Sequence, residues 1–129
     1  MNTSIVKSFA KINLALNVTG KVTKLHKIES IVKFIRLHDI IYIKSIKCKK
    51  HKISFNGNFS KNIKENNTVN KLFEILDEQK LLNNKKFQIK IKKNIPQEAG
   101  LGGGSMNAAN ILNFLIKKKI VKKNKKKII

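Results

Sequence analysis

Apolar and polar residues alternate near the start of the chain: Ile12, Leu14, Leu16 and Val18 are separated by Asn13, Ala15 and Asn17. A period of two predicts a half-buried strand, closed by Gly20. Residues 28–35 are rich in β-branched side chains and predict a second strand. Ile41, Ile43, Ile46 and Cys48 predict a third, with a bulge where the alternation slips. Ile53-Ser54-Phe55 predicts a short strand ended by the turn signal Asn56-Gly57. The period then changes. Val69, Leu72, Phe73 and Leu76 fall at helical spacing behind Asn67, a good N-cap residue. Phe87, Ile89 and Ile91 alternate with Gln88, Lys90 and Lys92, a clear strand. Beyond a glycine-rich stretch, Ala108, Ala109, Leu112, Leu115 and Ile116 form a second helical stripe.

Several strands, a helix, a strand, a glycine loop and a helix predict an α+β fold, a mostly antiparallel sheet packed on helices. Residues 1–116 read as one domain. Residues 117–129 read as a lysine-rich tail, solvated or the frayed end of a helix. A chain of 129 residues is long enough to bury a core.

Charge changes the picture less than its size suggests. Lys and Arg number 29 against 7 acidic residues, for a net charge of +22. A polyanion binder is one reading of that excess. Yet Arg36 is the sole arginine, tryptophan is absent, and there is one tyrosine, so the bidentate and stacking groups of nucleic-acid recognition are scarce. Lys, Ile and Asn share A/T-rich codons, and coding bias accounts for the excess without a nucleic-acid partner. Cys48 is the only cysteine, which excludes a disulfide framework and a cysteine metal site and suits a reduced, intracellular protein. No apolar run approaches the roughly 20 residues of a membrane span, so the expected location is the cytoplasm.

The candidate chemistry lies in Pro96, Gln97, Glu98, Ala99, Gly100, Leu101, Gly102, Gly103, Gly104, Ser105 and Met106. The glycines let the backbone approach a ligand closely. Ser105 is expected to open the following helix, whose unpaired N–H groups attract anions. Strand, glycine loop and helix start together make a phosphate cradle, and the Ser105 hydroxyl can touch a phosphate or a bound Mg²⁺. No Lys-Ser/Thr pair follows the glycines, so this is not a Walker A loop, and the glycine spacing also excludes the dinucleotide-binding pattern. On the first predicted strand, Lys11 and Asn13 share one face, a pair suited to an anionic or hydroxylated ligand or to plain solvation.

Ala10-Lys11-Ile12-Asn13-Leu14 together with Gly100-Leu101-Gly102-Gly103-Gly104-Ser105 resembles the GHMP kinase superfamily, and within it the kinases that act on a cytidine diphosphate-linked methylerythritol. Weaker matches are Leu25-His26-Lys27-Ile28-Glu29-Ser30 and Asn67-Thr68-Val69. The resemblance spans nearly all of residues 7–116. It implies the superfamily's amino-terminal domain, whose fold is like domain 2 of ribosomal protein S5, and ATP-dependent phosphorylation of an alcohol in isoprenoid synthesis. It implies ATP phosphates held by residues 96–106, with Mg²⁺. Lys11 would stabilise developing negative charge, Asn13 would orient the substrate, and His26 would pair with cytosine. The chain departs from the pattern at Leu25, where the family carries a stacking aromatic, at Met106, where it has a second serine, and at Glu98, where a carboxylate replaces a small neutral residue. The family's Gly-Ala-Asp-Val-Pro segment, with its catalytic aspartate, does not occur, so a truncated chain lacking the carboxy-terminal domain is expected.

Overall fold

The computed structural model describes residues 2–10, 36–61, 63, 67–96 and 103–122. The strands expected over 12–18 and 28–35 lie outside them. The described elements are β1 (Ser4–Phe9), β2 (His38–Ile46), β3 (Lys52–Asn56), α1 (Thr68–Glu78), β4 (Lys86–Lys92) and α2 (Gly103–Lys117). The strands form one sheet in the order β1-β2-β4-β3, with β3 parallel to β4 and the other two pairings antiparallel. This is the expected α+β arrangement.

Register explains the core. Val6, Ile41, Ile91 and Phe55 are aligned across the sheet on its inner face, and Ile43, Ile89 and Ile53 form the next row. Against these rows α1 brings Val69, Phe73 and Leu76, and α2 brings Ala108, Ile111 and Leu115. Both helices show one apolar stripe because only one face leaves water. Asn67 caps α1 as expected, its side-chain oxygen accepting from the Asn70 N–H at 2.9 Å.

One strand was not expected, and two expectations are corrected. β1 carries no apolar stripe to read: its inward positions are Ser4, Val6 and Ser8, while Ile5 and Phe9 face outward and exposed. β2 runs from His38 to Ile46 without a bulge, paired in register on both sides, and turns Ile46 to the outer face. Cys48 then falls beyond the strand and is exposed. The lysine run after α2 also contributes to the core. Lys119 takes a left-handed conformation, the Lys119 N–H donates to the Ile116 carbonyl at 2.9 Å and the Ile120 N–H to the Leu115 carbonyl at 3.0 Å, and Val121 is buried. This paired closure of a helix end turns the chain back onto the sheet. No described helix is long and apolar enough to cross a membrane.

Gly57, just past β3, has φ of +96°, and a Cβ there would lie 2.7 Å from the Lys93 carbonyl oxygen and 2.9 Å from its nitrogen. Neither obstacle is a movable side chain. Gly57→Ala is therefore expected to destabilise the fold by about 2–3 kcal/mol, read as a lower urea midpoint at unchanged slope. A midpoint equal to wild type would mean that β3 does not pack this closely on the end of β4.

Candidate functional site

The apolar rows of the sheet end in a polar one. Alternation on β2 points Asp39, Ile41 and Ile43 inward, and on β4 it points Phe87, Ile89 and Ile91 inward. One step beyond β4, Lys93 continues that inward series and is buried beside Asp39. Ser8 of β1 is the register partner of Asp39 on its other side and is also buried.

Asp39 is fully buried and accepts from four donors. Oδ2 accepts from Lys93 Nζ at 2.5 Å and from Asn107 Nδ2 at 3.1 Å. Oδ1 accepts from the backbone N–H of Asn94 at 2.7 Å and of Ile95 at 2.9 Å. A carboxylate offers about four acceptor sites, so this one is saturated. The Asn94 side chain adds a bond to the His38 carbonyl at 3.0 Å, and Asn110 Nδ2 donates to Ser8 Oγ at 3.0 Å. Asn107 and Asn110, one helical turn apart, thus seat α2 on the adjacent pair Asp39 and Ser8.

The glycine loop leaves the sheet at this end. Pro96 follows Ile95 directly and is half-buried. Gly103, Gly104, Ser105 and Met106 are the first residues of α2. The helix begins two residues before the expected Ser105, so Ser105 sits inside its first turn and its N–H is still among the four unpaired ones. Gly104 and Ser105 are exposed, and Met106 is half-buried. Among the described residues, the nearest atom that a Cβ on Gly104 would meet outside its own helix is Thr68 Oγ1 of α1, at 3.8 Å. The N-termini of the two helices therefore adjoin, and neither carries an acidic residue in its first turn. Two partial positive charges and an open glycine surface suit an anionic ligand.

Gln97, Glu98, Ala99, Gly100, Leu101 and Gly102 lie outside the described residues, as do Lys11, Asn13, His26 and Leu25. Ala10, the residue before Lys11, is held at the same end of the sheet by its N–H bond to the Leu37 carbonyl, at 2.9 Å. No group of three His, Cys, Asp or Glu side chains able to hold a metal occurs among the described residues. Among the described residues, the remaining acid-base contacts gather on Asp77 at the opposite end of the sheet, where Lys86 Nζ lies 3.4 Å from Asp77 Oδ2 and His51 also approaches it. His51 accepts from the Phe87 N–H at 3.0 Å and donates to Asp77 at 3.0 Å, so both ring nitrogens are occupied. It packs on Phe73 with ring centroids 4.7 Å apart and fastens α1 to the sheet.

Sequence reading missed Asp39, Lys93 and Asn107. A signal was present: opposite charges occupy inward positions at the ends of two otherwise apolar strands.

The GHMP kinases N terminal domain family matches residues 67–127, which include α1, β4, the glycine loop and α2. The chain belongs to the GHMP kinase family, whose amino-terminal domain it carries. It is similar to 4-diphosphocytidyl-2-C-methyl-D-erythritol kinase of Pelagibacter ubique (strain HTCC1062), at 64% identity over 95% of this chain and 43% of that protein. The same enzyme of Thermosipho africanus (strain TCF52B) is 37% identical over 87% of this chain and 39% of the relative. The chain thus spans less than half the length of these relatives. A crystal structure of 4-(cytidine 5'-diphospho)-2C-methyl-D-erythritol kinase aligns with a TM-score of 0.49 and 22% identity, covering 68% of this chain and 30% of that one.

The buried pair can be tested by a double-mutant cycle. Asp39→Asn leaves the Lys93 ammonium buried without its counter-charge and is expected to destabilise by about 3–5 kcal/mol. Adding Lys93→Met removes the orphaned charge, so the double variant should be less destabilised than the sum of the singles by at least about 1.5 kcal/mol. Additive losses in urea unfolding would mean the two groups do not interact as a pair.

Proposed function

We propose that this chain is the nucleotide-holding part of a kinase that moves the γ-phosphate of ATP to the 2-hydroxyl of 4-diphosphocytidyl-2-C-methyl-D-erythritol, in isoprenoid synthesis by the non-mevalonate route. The observation that carries this reading is the meeting of two helix N-termini, free of acidic residues, at Gly104, in a chain so similar to such a kinase.

Residues 96–106 wrap the ATP phosphates in this reading. The exposed backbone at Gly104 and Ser105 offers N–H donors, and phosphoryl transfer depends on such positioning and charge more than on covalent chemistry. Mg²⁺ accompanying ATP would be held by the phosphates and the exposed Ser105 hydroxyl, and it would neutralise charge on the β- and γ-oxygens. Lys11 stabilises charge developing at the substrate hydroxyl, Asn13 orients the substrate and His26 pairs with cytosine. Asp39 is not the base of this reaction, because its oxygens are saturated and buried. Cytoplasmic metabolism is the setting, and the partners are small molecules.

A second reading rests on the outer sheet face, where the exposed Lys7, Lys44, Lys52, Lys90 and Lys92 share the surface with no acidic residue of these strands. It requires a polyanion, and RNA binding that persists at moderate salt without ATP binding would favour it.

Gly104→Ala separates ligand approach from folding. No described residue crowds a methyl group at this position, and alanine favours a helix, so stability should be unchanged or raised by up to about 1 kcal/mol. Binding of Mg-ATP, measured by titration calorimetry, should nevertheless weaken roughly tenfold or more, the equivalent of about 1.4 kcal/mol. His26→Ala and Asn13→Ala should weaken the diphosphocytidyl ligand and leave ATP unaffected. A wild-type chain without ATP affinity, or a Gly104→Ala variant that binds like wild type, overturns the assignment.

A further inference from the structure

The ends of the glycine loop are held by one side chain. Its entry is fixed by the Asn94 and Ile95 N–H bonds to Asp39 Oδ1, and its exit by the Asn107 bond to Asp39 Oδ2, four residues into α2. Only residues 96–102 lie between Ile95 and the start of the helix. The carboxylate itself is immobilised by Lys93. Lys93 in turn is fixed by its backbone, its N–H donating to the Asn56 carbonyl at 2.7 Å. Three segments distant in sequence therefore meet on a group that makes no contact with solvent.

We propose that Asp39 and Asn107 are positioning residues for the anion site at the start of α2, with Asp39 acting as a post that sets the distance of that helix from the end of β4. This rests on the nucleotide-binding reading above. Because the start of α2 is tied to the same rigid post as the end of β4, its N–H groups are held in place before a ligand arrives, so the post raises affinity through preorganisation. Asn107 Oδ1 is buried without a hydrogen-bond partner, so Asp39 is the one group this side chain engages.

Asn107→Leu takes one of four donors from a buried carboxylate, so its melting temperature should fall. Its Kd for Mg-ATP should rise roughly tenfold or more, because the helix start is no longer referenced to the end of β4. The control is Ile43→Val, deep in the core and away from this end of the sheet, which should lower the melting temperature and leave the Kd within about twofold. Both variants would then lose stability but only the Asn107 variant would lose affinity, which a merely structural role for Asn107 does not produce. Asn107→Ala carries the same comparison if leucine does not fit. An Asn107 variant with wild-type ATP affinity overturns the positioning role and leaves nucleotide binding standing. If wild type binds no ATP, the nucleotide reading fails, and amide hydrogen exchange decides the anchoring. Asn107→Leu must then speed exchange of Ile95 and the first turn of α2 at least about tenfold relative to β2, and unchanged exchange sinks it.

Discussion

The carboxylate of Asp39 is the constraint on which the rest depends. A sheet strand that ends in a buried acid is unfavourable until every lone pair is met and the charge is balanced. Here four donors, one of them an ammonium, do both, and they come from three places: the backbone at the exit of β4, the side chain of Lys93 just past that strand, and the second helix. Meeting the demands of one buried group thus forces β2, β4 and α2 into a single arrangement. Gly57 belongs to the same device. The Lys93 backbone can approach β3 closely only because no Cβ stands there.

The second helix reads as a mixture until its two tasks are separated. Ile111 and Leu115 belong to the apolar cluster. Asn107 and Asn110, nearer the helix start, engage Asp39 and Ser8 instead. Apolar packing is tolerant of sliding, whereas amide bonds to two neighbouring side chains on paired strands are not. The polar turn therefore sets where the helix begins, and the apolar turns hold it down. Its beginning matters because that is where Gly104 meets Thr68 and the unpaired N–H groups of two helices come side by side.

Much of this was legible in the sequence where one physical signal dominated. The alternation of β4, the capped stripe of α1 and the glycine turn after β3 each rest on local rules, and each formed where expected. β1 escaped because its inward side chains are two serines and a valine, so burial on that strand is decided by Asp39 and Asn110 across space and not by its own pattern. The start of α2 was placed two residues late because Ser105 looks like a cap, whereas the helix begins among the glycines. The glycine loop could be recognised from its composition, whereas the inward charges at two strand ends mark its anchors only once the strands are paired. Asp39 and Lys93 are 54 residues apart, and only the strand register brings them together.

Charge explains why an acid can serve at the foot of an anion site at all. A lone carboxylate beside the ends of a phosphate loop would oppose its ligand. Paired with Lys93 at 2.5 Å, Asp39 presents almost no net field, while its geometry still fixes the loop ends. The attraction for an anion is left to the helix N-termini, whose first turns carry no acidic side chains to cancel them. Rigidity and electrostatic attraction are thus supplied by different groups. A neutralised buried pair can hold the loop in shape without deciding the sign of what the loop binds.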